Sequence, residues 1–344
     1  MTAVLNVPLA PFSNKISSHR GAQGVIYADM IRQTGVDLEI NWSGKIQDHN
    51  RYDALYAYHG NDWFGSLNLF GGVQGCSYAY NIRNVSKFKG KVYSLGIPFP
   101  DYHIQIKKRL DRAKEKGTPI QQEWLDTDLD NLERMYHCAE LIKYPNTTDK
   151  LVVGDSHAIC MYRPGWTINS TPFKTLNGAL KDLSSFITDV APMNTFNEVE
   201  FYFGNIDVRH HLCRIGGDHI ENARELARRY VSAVEALPIK NVSIYELLPI
   251  EDESRKLPKT GYYKGQPFWG TWEQRNQCRV AFLDEVEKNV TRAKVIHWTK
   301  YLLNQKGQLD FEHMEKPKSV HLSRGSYPWW TGEDKGISLE DFFV

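Results

Sequence analysis

The first feature with chemical content is a serine at the end of a short apolar run. Leu151-Val-Val153 leads straight into Gly154-Asp155-Ser156-His157. A serine hydroxyl is a poor nucleophile at neutral pH until a base takes its proton and hydrogen-bond donors stabilise the oxyanion its attack creates. A tight turn directly after a strand exposes such a hydroxyl at the edge of a sheet, and residues 153–156 supply the strand end, the glycine and the serine. Asp155 and His157 flank it as candidate substrate contacts, although an imidazole in that position equally suits packing and hydrogen bonding. The Gly-Asp-Ser triplet is a weak signal alone, since strand-end turns favour these residues for backbone reasons.

A second polar cluster follows the apolar run at 198–203. Gly204-Asn205-Ile206-Asp207 is succeeded by Arg209, His210 and His211. One guanidinium and two imidazoles beside a strand end suit recognition of an anionic or hydroxyl-rich substrate through charge-assisted hydrogen bonds. A metal site that adds Asp207 or His219 is the rival, but the spacing matches no common ligand pattern. Neither a metal nor a cofactor is expected. Nearer the N-terminus, residues 58–63 and 67–72 are dense in glycine, polar groups and rings. Such a loop suits stacking of a base or sugar, with Asp62 and Trp63 as its candidate contacts; the plain alternative is an ordered loop whose glycines supply positive φ.

These residues need elements to position them. Residues 22–34 have helical periodicity at Val25, Ile26, Met30 and Ile31, stop at Gly35, and are followed by a strand-like run at 36–40. Residues 53–58 and 90–95 read as short strands closed by turn formers. A basic helical stretch at 104–116 and a charged helix at 121–143 come next, then the polar boundary Tyr144-Pro-Asn-Thr-Thr-Asp149. Beyond it, strands at 151–153, 198–203, 241–247 and 293–298 alternate with long helices at 220–237 and 273–289. That alternation predicts an α/β fold of two domains, 1–147 and 148–344, each a mainly parallel sheet flanked by helices.

The bulk composition narrows the partners. Hydrophobic residues make up 41% of the 344, aromatics 12%, and the formal charge is +1, so both halves should fold and nothing global attracts a polyanion. Cys76, Cys138, Cys160, Cys213 and Cys278 are far apart in sequence and odd in number, which points to reduced thiols. No leader or membrane span is visible, so a cytoplasmic protein without a membrane partner is expected.

Four blocks in chain order resemble the SGNH (GDSL-type) serine hydrolases. Ser156 matches the nucleophile block, and Gly178, in Lys174-Thr-Leu-Asn-Gly178, matches the glycine whose N–H serves the oxyanion hole. Asn205 matches the oxyanion-hole asparagine, and His321, in Ser319-Val-His321, matches the general base. The resemblance spans roughly the C-terminal half and implies a Rossmann-like N-terminal domain beside an SGNH/flavodoxin-like one. The strings around Ser156 and Asn205 further look like a subgroup found in phages and polysaccharide gene clusters. That implies an esterase or acyltransferase acting on a carbohydrate or a modified nucleotide or DNA. One departure stands out: the family's aspartate three residues before the histidine is Lys318 here, so Glu315, Asp310 or another carboxylate substitutes, or the histidine works without one.

Residues 51–72 and 87–93 also look distantly similar to phage DNA β-glucosyltransferases. That resemblance implies nucleotide-sugar contacts from residues 154–157 and Arg163, with Asp62 or Asp101 as base. A third class, a catalytically silent carbohydrate- or nucleic-acid-binding protein, would fit the missing aspartate and the aromatic tail Tyr327-Pro-Trp-Trp330.

Overall fold

The computed structural model describes residues 2–7, 19–58, 84–85, 87–95, 111, 115, 117, 139–142, 144–171, 174–253, 269–315 and 321–329. The chain divides into two compact units, Met1–Asn146 and Thr147–Thr331, with Gly332–Val344, outside the described residues, assigned to the first.

The first unit holds five parallel strands in the order β2-β1-β3-β4-β5: β1 (Thr2–Asn6), β2 (Asp37–Asn41), β3 (Ala54–Tyr58), β4 (Lys91–Leu95) and β5 (Ala139–Ile142). Helix α1 (His19–Arg32) connects β1 to β2. Its buried Ala28 and Ile31 join Ala3, Leu5, Ala54, Tyr56 and Tyr58 in one core. Strand β3 is buried at every position, which explains why it reads as a continuous apolar run rather than an alternating one. The end of the charged stretch at 121–143 differs from expectation: residues 139–142 are an edge strand, not helix. Four residues bearing one charge fit a helical turn as well as a short edge strand, so periodicity cannot separate them.

The second unit repeats the plan. Strands β6 (Lys150–Asp155), β7 (Thr167–Thr171), β8 (Glu198–Tyr202), β9 (Asn241–Tyr245) and β10 (Lys294–Ile296) are parallel in the order β10-β9-β8-β6-β7. Read from the opposite edge, this is the same winding as the first sheet. Strand β7, Thr-Ile-Asn-Ser-Thr, lacks the apolar run that marks a central strand because it lies at the edge. Helix α4 (His219–Glu235) is capped by Asp218, which accepts from the N–H groups of Ile220 and Glu221, and buries Ala223, Leu226, Ala227, Tyr230, Val231 and Val234 along one face. Helix α5 (Trp272–Asn289) starts with a reciprocal Thr271–Gln274 capping box. Two short helices complete the frame of the site, α2 (Leu176–Ala179) and α3 (Asn205–His210). Among the described residues no helix is long and apolar enough to cross a membrane.

In a sheet wound this way, neighbouring strands leave toward opposite faces at one place, and ligands bind beyond the carboxyl ends of the strands there. In the second unit that place lies between β6 and β8. Ser156 follows the first of these strands, and Asn205 follows the second by three residues.

Candidate active site

Ser156 opens a 3-10 turn, Ser156–Met161, directly after β6. The buried Asp155 caps that turn: its Oδ1 accepts from the His157 backbone N–H at 2.9 Å and pairs with His157 Nδ1 at 2.8 Å. The glycine before it is a packing requirement. A Cβ on Gly154 would sit 2.3 Å from the Tyr202 carbonyl oxygen and 2.6 Å from Ala158 Cβ, so no other residue lets the turn fold back against β8.

Asn205 is fully buried, and Gly204, in the left-handed region at φ 114°, makes the bend that delivers it. Asn205 Oδ1 accepts from Leu248 N at 3.0 Å and from Arg209 Nη1 at 3.4 Å. Both partners are donors only, which fixes the orientation of the amide. The Nδ2 donor is buried with no hydrogen bond of ordinary geometry among the described residues, although Asn205 acts on the Tyr202 hydroxyl and opposes the rise in its pKa that burial causes. A buried donor placed in this way is costly unless something else accepts from it.

His321 reaches Ser156 from across the sequence. An antiparallel bridge joins Met314 to Leu322, and the Glu315 N–H donates to the His321 carbonyl at 3.0 Å. This pairing carries the imidazole to the serine, with His321 Nε2 3.1 Å from Ser156 Oγ. On the other side of the ring, Nδ1 lies 3.9 Å from Glu315 Oε1, an ion-pair distance rather than a direct hydrogen bond. Asp310, the other nearby carboxylate, instead caps the short turn Phe311–His313 by accepting from Glu312 N at 3.1 Å. Lys318 lies outside the described residues.

The His157 ring packs 5.1 Å, centroid to centroid, from the His321 ring. Burial lowers the pKa of His157 against the opposing pull of Asp155, with His321 and Arg209 adding to the lowering. A neutral His157 donating from Nδ1 to Asp155 places no second positive charge against His321 when that ring takes a proton.

Several of the other sequence candidates are held by partners within the protein. The Gly178 N–H donates to Thr175 Oγ1 at 3.0 Å, as the cap of α2. Arg209 is 1% exposed and pairs with the buried Glu251 at 2.8 Å while donating to the Pro249 carbonyl at 2.7 Å. It braces the interior. His210 ends α3 and His211 caps it. Burial, then Arg214, lowers the pKa of His211. Arg163, offered to a nucleotide on the glucosyltransferase resemblance, is engaged by Glu200 and Tyr245 and stacks 3.6 Å from the Trp166 ring centroid. Asp62, Trp63 and Asp101 lie outside the described residues. Of the aromatic tail, Tyr327 is buried and Trp329 is 39% exposed. Among the described residues no three His, Cys, Asp or Glu side chains are grouped as metal ligands are.

Asp207 is the functional neighbour that sequence reasoning missed as a structural element. Its buried carboxylate accepts from Leu176 N at 2.6 Å and Asn177 N at 3.2 Å, tying α3 to the start of α2. Burial raises its pKa from 3.8 to about 6 despite those two hydrogen bonds. The folded protein therefore holds this proton up to about pH 6, where the unfolded chain has already released it. The resulting stabilisation is full below about pH 4 and is lost as pH rises through 6, by roughly 3 kcal/mol. Thermal melts between pH 4 and 7 should show a steeper decline in the wild type than in Asp207→Asn; equal slopes would discard the assignment.

No protein-family model matches the chain, and no curated protein matches it. Solved structures similar to it include the lipase/acylhydrolase from Enterococcus faecalis, at 15% identity over 52% of this chain and 89% of that one, with a TM-score of 0.35. A carbohydrate acetylesterase from Sinorhizobium meliloti is similar at 14% identity over 52% and 94%, TM-score 0.35, and an acetyl xylan esterase at 14% over 52% and 94%, TM-score 0.34.

Proposed function

We propose that the second unit is a serine esterase of the SGNH type, in which Ser156 attacks an ester carbonyl and His321 takes its proton and later returns it to the leaving alkoxide. Asn205 Nδ2 donates to the oxyanion. Glu315 takes the place of the family's aspartate as the carboxylate facing the far side of the imidazole. The observation that carries the reading is the 3.1 Å contact between Ser156 Oγ and His321 Nε2, made by residues 165 apart in sequence. The buried Asn205 Nδ2 donor supports it, since an oxyanion is an acceptor that such a donor can serve.

The substrate proposed is an ester borne by a carbohydrate or a modified nucleotide. Tyr301 and Trp329, 47% and 39% exposed, lie on segments adjoining His313 and His321 and offer rings against which a sugar or base can stack. Transfer of the acyl group to a second hydroxyl uses the same atoms and differs only in which nucleophile resolves the acyl-serine. Product analysis with and without a sugar acceptor separates transfer from hydrolysis.

A fluorophosphonate probe tests the nucleophile directly. Labelling mapped to the peptide containing Ser156 is expected, and labelling elsewhere or none at all would remove the serine mechanism. Glu315→Gln keeps the side-chain shape but loses the charge facing the imidazolium. Since the carboxylate faces the ring at 3.9 Å and not at hydrogen-bond length, kcat should fall about tenfold to a hundredfold, less than for an aspartate bonded to the ring, with KM little changed. An unaltered kcat and pH–rate profile would show that the histidine works without this carboxylate.

A further inference from the structure

Cys213 and Cys278, separated by 65 residues, bring their Sγ atoms to 3.8 Å. No spacing among the five cysteines hints at this pair. Cys213 lies in the turn after α3 and is partly exposed, while Cys278 lies in α5 and is buried. Room for the pair comes from Gly270, at φ 80°, where a Cβ would approach Cys213 Sγ to 2.8 Å.

The surroundings divide the two thiols by role. Hydrogen bonding from Cys278 lowers the pKa of Cys213 to about 7, opposed by burial and helped by His219 and Arg275. The same hydrogen bond and burial raise that of Cys278. A reactive cysteine is one that ionises near neutral pH and is reached by solvent, and its partner needs only to be in contact.

We propose that Cys213 and Cys278 are an oxidisable pair, in which Cys213 reacts with a hydroperoxide and Cys278 resolves the product to an intramolecular disulfide. In the first step the Cys213 thiolate attacks one peroxide oxygen. An S–O bond forms, the O–O bond breaks, and the departing alkoxide or hydroxide takes a proton from water. In the second step the Cys278 sulfur attacks the Cys213 sulfenic acid, forming the S–S bond while the S–O bond breaks and water leaves with the Cys278 proton. The peroxide is reduced and two thiols are oxidised. Closing from 3.8 Å to a bond of about 2.05 Å needs movement of the Cys213 turn, where Gly216 and Gly217 both adopt positive φ.

The test uses the full chain and does not depend on the serine chemistry, because it reads thiols and not ester turnover. Protein exposed to hydrogen peroxide at neutral pH is alkylated with iodoacetamide, digested without reductant and mapped by mass spectrometry. The expected result is a cross-linked species joining the Cys213 and Cys278 peptides, lighter by two hydrogens and released by dithiothreitol. Cys278→Ala should strand the oxidised Cys213 as a sulfenic acid trapped by dimedone. Two outcomes in the wild type overturn the proposal without reliance on any variant: both cysteines fully alkylated after peroxide, or Cys213 over-oxidised while Cys278 remains a free thiol.

Discussion

Ser156→Ala should lower hydrolysis of an activated acetyl ester by at least about a thousandfold while leaving the fold intact. The size follows from the role: removing the nucleophile leaves only binding and the oxyanion donor to act on the ester. The expectation of an intact fold follows from the surroundings. Ser156 is only partly buried, and its hydroxyl contacts the His321 ring rather than the core. A lost side-chain hydrogen bond of that kind costs about 1 kcal/mol. Turnover of p-nitrophenyl acetate with matched thermal melts checks both halves of the expectation. Activity within a few-fold of the wild type would mean that any hydrolysis has another source.

The second large effect is on stability. Arg209→Met should destabilise the protein by about 3–5 kcal/mol, since it takes from the fully buried Glu251 carboxylate its 2.8 Å cationic partner and removes the donor to the Pro249 carbonyl. For a unit of this size the melting temperature should drop by roughly 10 °C. The variant also separates two views of the residue. A brace for the interior loses melting temperature, whereas a substrate contact would raise KM and leave the melt unchanged. The second result would overturn the structural assignment made above.

The alternation of strands and helices was legible because β3, β6, β8 and β9 are short and rich in apolar or β-branched residues, and because α4 and α5 carry periodic faces and explicit caps. Two of the four edge strands were harder. Thr167–Thr171 and Ala139–Ile142 each have a neighbour on one side only, so burial imposes less on their composition. Within the site, Ser156 and His321 could be paired only through resemblance, because no local pattern links positions 165 apart. Gly178 and Arg209 show another limit. The family resemblance offers the Gly178 N–H to an oxyanion, and an arginine near a strand end reads as a ligand for substrate, while in the structure Thr175 and Glu251 claim them. Those claims are tertiary, and neither partner is distinguishable in sequence from many other threonines and glutamates. Glu315 was one of several carboxylates on offer until the Met314–Leu322 bridge set it opposite His321.

The repeated winding of the two sheets carries a consequence for the N-terminal half. Its strands β1 and β3 are adjacent and parallel, as β6 and β8 are, and end at Asn6 and Tyr58. The polar groups at that rim are engaged with one another: Tyr58 donates to Gln23 at 2.7 Å, and Asn41 to Asn6 at 2.7 Å. The glycine- and aromatic-rich segment bearing Asp62 and Trp63 departs from Tyr58. One duplicated blueprint thus gives each half a central strand pair of the kind beyond whose carboxyl ends sheets of this winding hold small molecules.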